Sequence, residues 1–172
     1  MEKTNPMREI MIEKVTVNIG VGQPGDRLEN AKDLLGKLAV GSKPIETKAR
    51  NRDPVFKLRK GLPIGVKVTL RGKNATVFLD KALTARRRVL KESNFDKQGS
   101  FSFGIAEYID FPGAKYDPSI GMFGFDVCVS LARPGRRVSL RKMRPAPMGK
   151  AHRISKVEAI EFAKSHLNAK VE

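Results

Sequence analysis

The sequence predicts an α+β fold: a two-layer sandwich with helices packed on one face of a largely antiparallel sheet. Three observations predict it. Four segments alternate apolar and polar residues with a period of two, the imprint of strands buried on one face only. Three others space their apolar residues as helices do. None of the strand candidates is apolar throughout, as a parallel strand covered on both faces would be.

Val15, Val17 and Ile19 alternate with Lys14, Thr16 and Asn18 up to Gly20. Gly20, Gly22, Pro24 and Gly25 break that strand, and Asp26 followed by Glu29 has the spacing of a capping box. Leu28, Ala31, Leu35 and Leu38 then share one helix face that stops near Gly41. A short strand is expected over Ile45 to Lys48. Ala49 to Pro63, rich in Arg, Lys, Gly and Pro, reads as an exposed loop or hairpin tip. Val66, Val68 and Leu70 alternate with Lys67, Thr69 and Arg71, and Gly72 ends that strand. The next helix is expected to carry Ala75, Phe78, Leu79, Ala82, Leu83, Val89 and Leu90 on its apolar side. Arg86, Arg87 and Arg88 stand toward its end, where cations suit the helix dipole.

Phe101, Phe103 and Ile105 alternate with Ser100, Ser102 and Gly104 as a further strand. Pro112 to Gly121 reads as a loop, and Phe123, Phe125, Val127, Val129 and Leu131 as the clearest strand of all. Between Arg133 and Arg153 there are eight Lys and Arg residues, three prolines and no acid. Such a stretch is expected to be an extended arm. Ser155 with Glu158 opens a last helix bearing Val157, Ile160, Ala163 and Leu167. The expected division is one α+β domain over 1–132, then a basic arm and terminal helix over 133–172.

The chain has 172 residues, enough for one compact domain without disulfide or metal staples. Its 34 Lys and Arg against 18 Asp and Glu leave a formal charge of +16, which points to a polyanion partner. One cysteine, Cys128, excludes a disulfide framework, and with only His152 and His166 beside it no Cys/His zinc site can be assembled. Neither a metal nor another cofactor is expected. Glu2, Lys3, Arg8 and Glu9 argue against a signal peptide, and no apolar run approaches the roughly 18 residues of a membrane span. A soluble, internal protein is expected.

If the apolar positions of the two early strands face the helices, Lys14, Thr16, Asn18, Lys67, Thr69 and Arg71 share the opposite face. Cations, hydroxyls and an amide suit phosphate, ribose and base-edge contacts, though a solvated sheet face would also look this way. Ten basic residues between Lys43 and Lys73 are opposed only by Glu46 and Asp53. RNA fits better than DNA, because no helix-turn-helix, zinc finger or basic zipper is visible. Residues 20 to 25, Gly-Val-Gly-Gln-Pro-Gly, spell a G-x-G-x-x-G between strand and helix, with Glu46 about twenty residues on, the spacing of a dinucleotide fingerprint. The alternating strand before it and Pro24 inside it favour a plain tight turn. His152, His166, Asp110, Asp117 and Asp126 form no catalytic spacing, and the chain is read as a non-enzyme.

IEKVTVNIGVG (12–22), KPIETKARN (43–51), FKLRKGLPIGVKVTLRG (56–72) and NFDKQGSFSFGIAEYIDFPG (94–113) resemble, in order, segments of the universal large-subunit ribosomal protein five family, the 5S rRNA-binding proteins. The basic ending resembles the archaeal form. The resemblance implies an α+β protein of the central protuberance that helps attach 5S rRNA and has no catalytic role. It implicates Asn18 and Thr69 in 5S rRNA contact, with Lys14, Thr16, Lys67 and Arg71 as neighbours and Lys43, Thr47 and Lys48 nearby. The chain departs from many members at Ser42, where they carry Gln. The loop with Arg50, Arg52, Phe56, Lys57, Arg59 and Lys60 resembles the tip that approaches P-site tRNA. Arg136, Arg137, Arg141, Lys142, Arg144, Lys150 and Arg153 are expected to contact large-subunit rRNA. Neighbouring ribosomal proteins, including one of the small subunit across a bridge, complete the implied partners. Two alternatives remain at this point: a free-standing RNA-binding protein or chaperone, and a dinucleotide enzyme using Gly20 to Gly25.

Overall fold

The structure, a computed structural model, describes residues 5–172; Glu2 and Lys3 lie outside the described residues. The chain runs β1 (Met11–Gly20), α1 (Asp26–Leu38), β2 (Ile45–Lys48), β3 (Pro63–Leu70), α2 (Gly72–Ala85), β4 (Val89–Leu90), β5 (Phe101–Ile105), β6 (Phe125–Ala132), α3 (Arg137–Leu140), α4 (Lys156–His166) and β7 (Lys170–Val171). Five strands form one sheet in the order β2-β3-β1-β6-β5, with every neighbouring pair antiparallel. α1 and α2 pack against β3 and β1 on one face, giving the two-layer α+β sandwich that the alternation predicts.

The alternation becomes the core. Val15, Val17 and Ile19 of β1, Val66, Val68 and Leu70 of β3, and Val127 and Val129 of β6 are buried against Leu28, Ala31 and Leu35 of α1 and Phe78, Leu79 and Leu83 of α2. Each such valine, leucine, isoleucine or phenylalanine contributes about 1.5–3 kcal/mol by leaving water. Phe111 links the layers, with ring centroids 5.0 Å from Phe78 and 6.0 Å from Phe125.

Several elements differ from expectation. Gly25, at φ 127°, occupies the N-cap of α1, so Asp26 is its first residue and no side-chain capping box forms. α2 ends at Ala85: Arg87 and Arg88 both take φ 57°, and the chain turns out of the helix. Val89 and Leu90 are therefore not on the helix but in β4, paired in parallel with β7 at the chain's far end. Phe123 is buried but precedes β6. On α4 the capping box of Ser155 and Glu158 does form, yet the buried face is Ala159, Phe162 and Ala163, with Val157 exposed.

The basic segment is not a wholly extended arm. It carries α3, and buried Arg133 anchors its start. The Arg133 guanidinium donates to Glu158 (2.8 Å) and to the carbonyls of Ala151 (3.3 Å) and Arg153 (3.5 Å). Arg136 pairs with Glu13 of β1, and His152 Nε2 lies 2.8 Å from the Pro134 carbonyl. Acids outside the segment thus supply the counter-charges its own composition lacks.

Candidate nucleic-acid interface

The face of the sheet away from α1 and α2 is open, and strand register decides which side chains meet there. Thr16 stands opposite Thr69 on one side and Cys128 on the other, and Cys128 opposite Ser102. One row runs Thr69, Thr16, Cys128, Ser102. The next runs Ile45, Lys67, Asn18, Asp126, Gly104. Lys14 faces Ser130, with Arg71 just beyond the end of β3, and Thr47 faces Gly65. The expected residues Lys14, Thr16, Asn18, Thr47, Lys67, Thr69 and Arg71 are brought together. Lys43 and Lys48 are exposed near the two ends of β2.

Local reading missed the other half of this surface. Ser102, Asp126, Cys128 and Ser130 belong to it because β6 and β5 extend the sheet beyond β1. The signal was present in the alternation of β5 and β6; only the strand order was not. Cys128 is accordingly an exposed thiol on the open face. Partial desolvation, and then the neighbouring Asp126 charge, push its pKa above the usual thiol value.

The electrostatics separate the two layers. The ion pairs among the described residues are Lys32–Glu46, Lys37–Asp117, Arg88–Asp80, Arg133–Glu158, Arg136–Glu13 and Lys156–Glu92. None involves Lys14, Lys67 or Arg71, nor any cation from Lys43 to Lys60. Among the described residues the Arg71 guanidinium makes one hydrogen bond, to the Glu13 carbonyl at 3.4 Å. Lys14, Lys67 and Arg71, without carboxylate partners, outnumber the one free carboxylate in these rows, Asp126, and leave the face net positive, the condition for attracting a polyanion.

β2 and β3 continue into a hairpin whose tip closes through mutual backbone bonds of Asp53 and Leu58 (3.0 and 2.8 Å). Arg50, Arg52, Lys57, Arg59 and Lys60 are exposed along it, and Val55 and Phe56 are 84% and 70% exposed at its end. In the basic segment Arg137, Arg141, Lys142, Arg144, Lys150 and Arg153 are exposed. Arg136 is half-buried and engaged by Glu13.

The dinucleotide alternative fails on geometry. β1 is the centre of an antiparallel sheet, with no parallel neighbour to form a βαβ unit. The amides of Val21 and Gly22 are both spent on the Ile64 carbonyl (3.0 and 2.7 Å), so they cannot cradle a pyrophosphate. Among the described residues no group of His, Cys, Asp and Glu is placed to hold a metal ion, and no helix is long and apolar enough to cross a membrane.

An open sheet face of unpaired cations, hydroxyls and amide, backed by helices, has the chemistry of a structural protein that meets a polyanion rather than of an enzyme's active site. Comparison with known proteins supplies the family. The family described as "Ribosomal protein L5" matches residues 5–59, and the C-terminus of the same ribosomal family matches 63–162. The chain is similar to "Large ribosomal subunit protein uL5" of Sulfurisphaera tokodaii, 52% identical across 99% of this chain and 96% of that protein. The proteins of the same name from Sulfolobus acidocaldarius and Methanococcus maripaludis strain C6 are each 49% identical, covering 99% and 96% of this chain and 95% and 93% of their own lengths. The chain belongs to the ribosomal L5 family, in its archaeal form: a non-enzymatic, structural constituent of the large ribosomal subunit.

Proposed function

We propose that the chain binds 5S rRNA through the open sheet face and helps attach it to the central protuberance of a cytoplasmic ribosome. The observation that carries this reading is the open face on which the register gathers Lys14, Thr16, Asn18, Lys67, Thr69 and Arg71, its three cations in no ion pair among the described residues. Lysine and arginine supply phosphate contacts, while hydroxyls and the amide reach ribose 2′-OH groups and base edges. Thr47, Lys43 and Lys48 extend the contact along β2. The hairpin tip, with Arg50, Arg52, Lys57, Arg59 and Lys60 around exposed Phe56, reaches P-site tRNA. The cations of the 133–153 segment contact large-subunit rRNA, and a small-subunit protein meets the chain across a bridge.

Competition of 5S rRNA with an unrelated folded RNA of equal length, over a range of salt, tests the reading. A preference for 5S rRNA that persists at moderate salt is expected, and it should weaken in Asn18→Ala and Thr69→Ala while thermal melts stay unchanged. Equal binding that fades with salt would mean that phosphates alone are read, and the general RNA-binding alternative would replace this one. Arg59→Ala with Lys60→Ala should spare 5S rRNA binding and weaken tRNA contact in assembled ribosomes; loss of 5S rRNA binding would place the tip on the wrong ligand.

A further inference from the structure

The open face carries one charge of the wrong sign. In its cross-strand rows Asp126 is exposed, and among the described residues it has neither an ion pair nor a side-chain hydrogen bond. Glu13, at the β1 bulge, is by contrast held by Arg136. A free carboxylate repels any phosphate that approaches the β6 end of its row, so the RNA backbone is steered toward Lys67 at the β3 end and toward Lys14 and Arg71. What can lie over Asp126 is a group rich in hydrogen-bond donors.

Its neighbours narrow the choice. Asn18 is its register partner on β1, and directly opposed residues hold their Cβ atoms about 4.5–5.5 Å apart. Gly104 is its partner on β5, and a Cβ added there would come within 3.3 Å of Asp126 Oδ1. The row therefore reads amide, carboxylate, glycine: two hydrogen-bonding side chains beside a position with no side chain of its own, whose carbonyl accepts from Arg86 (3.4 Å). Unpaired RNA bases are recognised on their pairing edges when splayed out of the stack. Guanine offers the O6 acceptor beside the N1–H and N2–H donors. An Asn18 N–H can donate to O6 while the two Asp126 oxygens accept from N1 and N2. Adenine, cytosine and uracil each present a single donor group on that edge and leave one carboxylate oxygen unmatched.

We infer that Asn18, Asp126 and the Gly104 backbone form a subsite for one unpaired guanine of the bound RNA, with Asp126 setting the base identity. The inference rests on the 5S rRNA reading above. The test uses the full chain and 5S rRNA transcribed with phosphorothioate-tagged inosine at a small share of its guanosine positions, because inosine lacks only the N2 amino group. RNA bound by the native chain and by Asp126→Asn is recovered and cleaved at the tags with iodine.

With the native chain, inosine at one unpaired position should be depleted from the bound RNA by about tenfold, the discrimination of one bidentate base contact. With Asp126→Asn that depletion should vanish while those at base-paired guanosines persist. Binding to unrelated RNA should rise in the same variant, since the face loses a negative charge. Identical inosine profiles for the two proteins would overturn the guanine subsite and leave the 5S rRNA reading standing. Failure of the native chain to prefer 5S rRNA over unrelated RNA would overturn both.

Discussion

Replacing Lys14, Lys67 and Arg71 together by alanine removes three cations from the open face, none of which has a carboxylate partner. If each neutralises one phosphate, each releases its counterion on binding, and the slope of log K against log salt carries about 0.7 to 0.9 per contact. The triple variant should therefore bind 5S rRNA with a slope shallower by about 2 to 2.7. Between about 50 and 200 mM salt the native chain should lose about 20- to 40-fold more affinity than the variant. The matched control is Lys32→Ala, Lys37→Ala and Lys156→Ala, which changes net charge equally but removes cations paired with Glu46, Asp117 and Glu92. Filter binding or anisotropy titrations at four salt concentrations give both slopes. A control that flattens the slope as much as the face variant would refute the reasoning, because position on the sheet would then not matter.

Other consequences follow from the packing. A Cβ at Gly65 would lie 2.8 Å from the Ile19 carbonyl oxygen and 2.9 Å from Thr47 Oγ1, so Gly65→Ala should lower stability by about 1–3 kcal/mol; an unchanged melting temperature would contradict that close approach. The Ser155 backbone N–H, and with it the Arg133 guanidinium, hold the Glu158 carboxyl below its ordinary value of 4.5. A carboxyl depressed on folding stabilises the fold above its unfolded value, and that contribution disappears as pH falls through the folded value. Melts of the native chain should therefore drop more steeply than those of Glu158→Gln as pH falls from about 5 to 3. Parallel curves would remove the Ser155–Arg133–Glu158 clamp from the account.

Much of this was legible in the residues because one physical fact, burial on a single face, writes itself into strand alternation. Val15, Val17 and Ile19, like Val66, Val68 and Leu70, announce both their strands and the polar face behind them. What alternation cannot carry is strand order. Nothing near Asn18 says that Asp126 lies beside it, so half of the open face, including the carboxylate, emerged only with the register. Long-range partners account for the other departures. Val89 and Leu90 continue the helical spacing of α2, but they pair with the chain's last residues, and the left-handed turn at Arg87 and Arg88 that releases them is placed at residues with no glycine to mark it. For the basic segment, composition alone predicts an extended arm. Its anchors, Glu13 and Glu158, lie outside it. At α1 the capping-box spacing was real, but Gly25 took the cap and shifted Asp26 into the first turn.

Cys128 provides the most direct test of the open face as the RNA surface. It is the chain's one cysteine, it is exposed, and it sits between Thr16 and Ser102 in the middle of the row. Alkylation of this thiol, followed at mildly alkaline pH because its pKa is raised, reads access to the face without any substitution. Saturating 5S rRNA should slow the reaction strongly, and an unrelated RNA of equal length at moderate salt should not. A rate unchanged by bound 5S rRNA would contradict the account, for the RNA would then lie elsewhere on the protein.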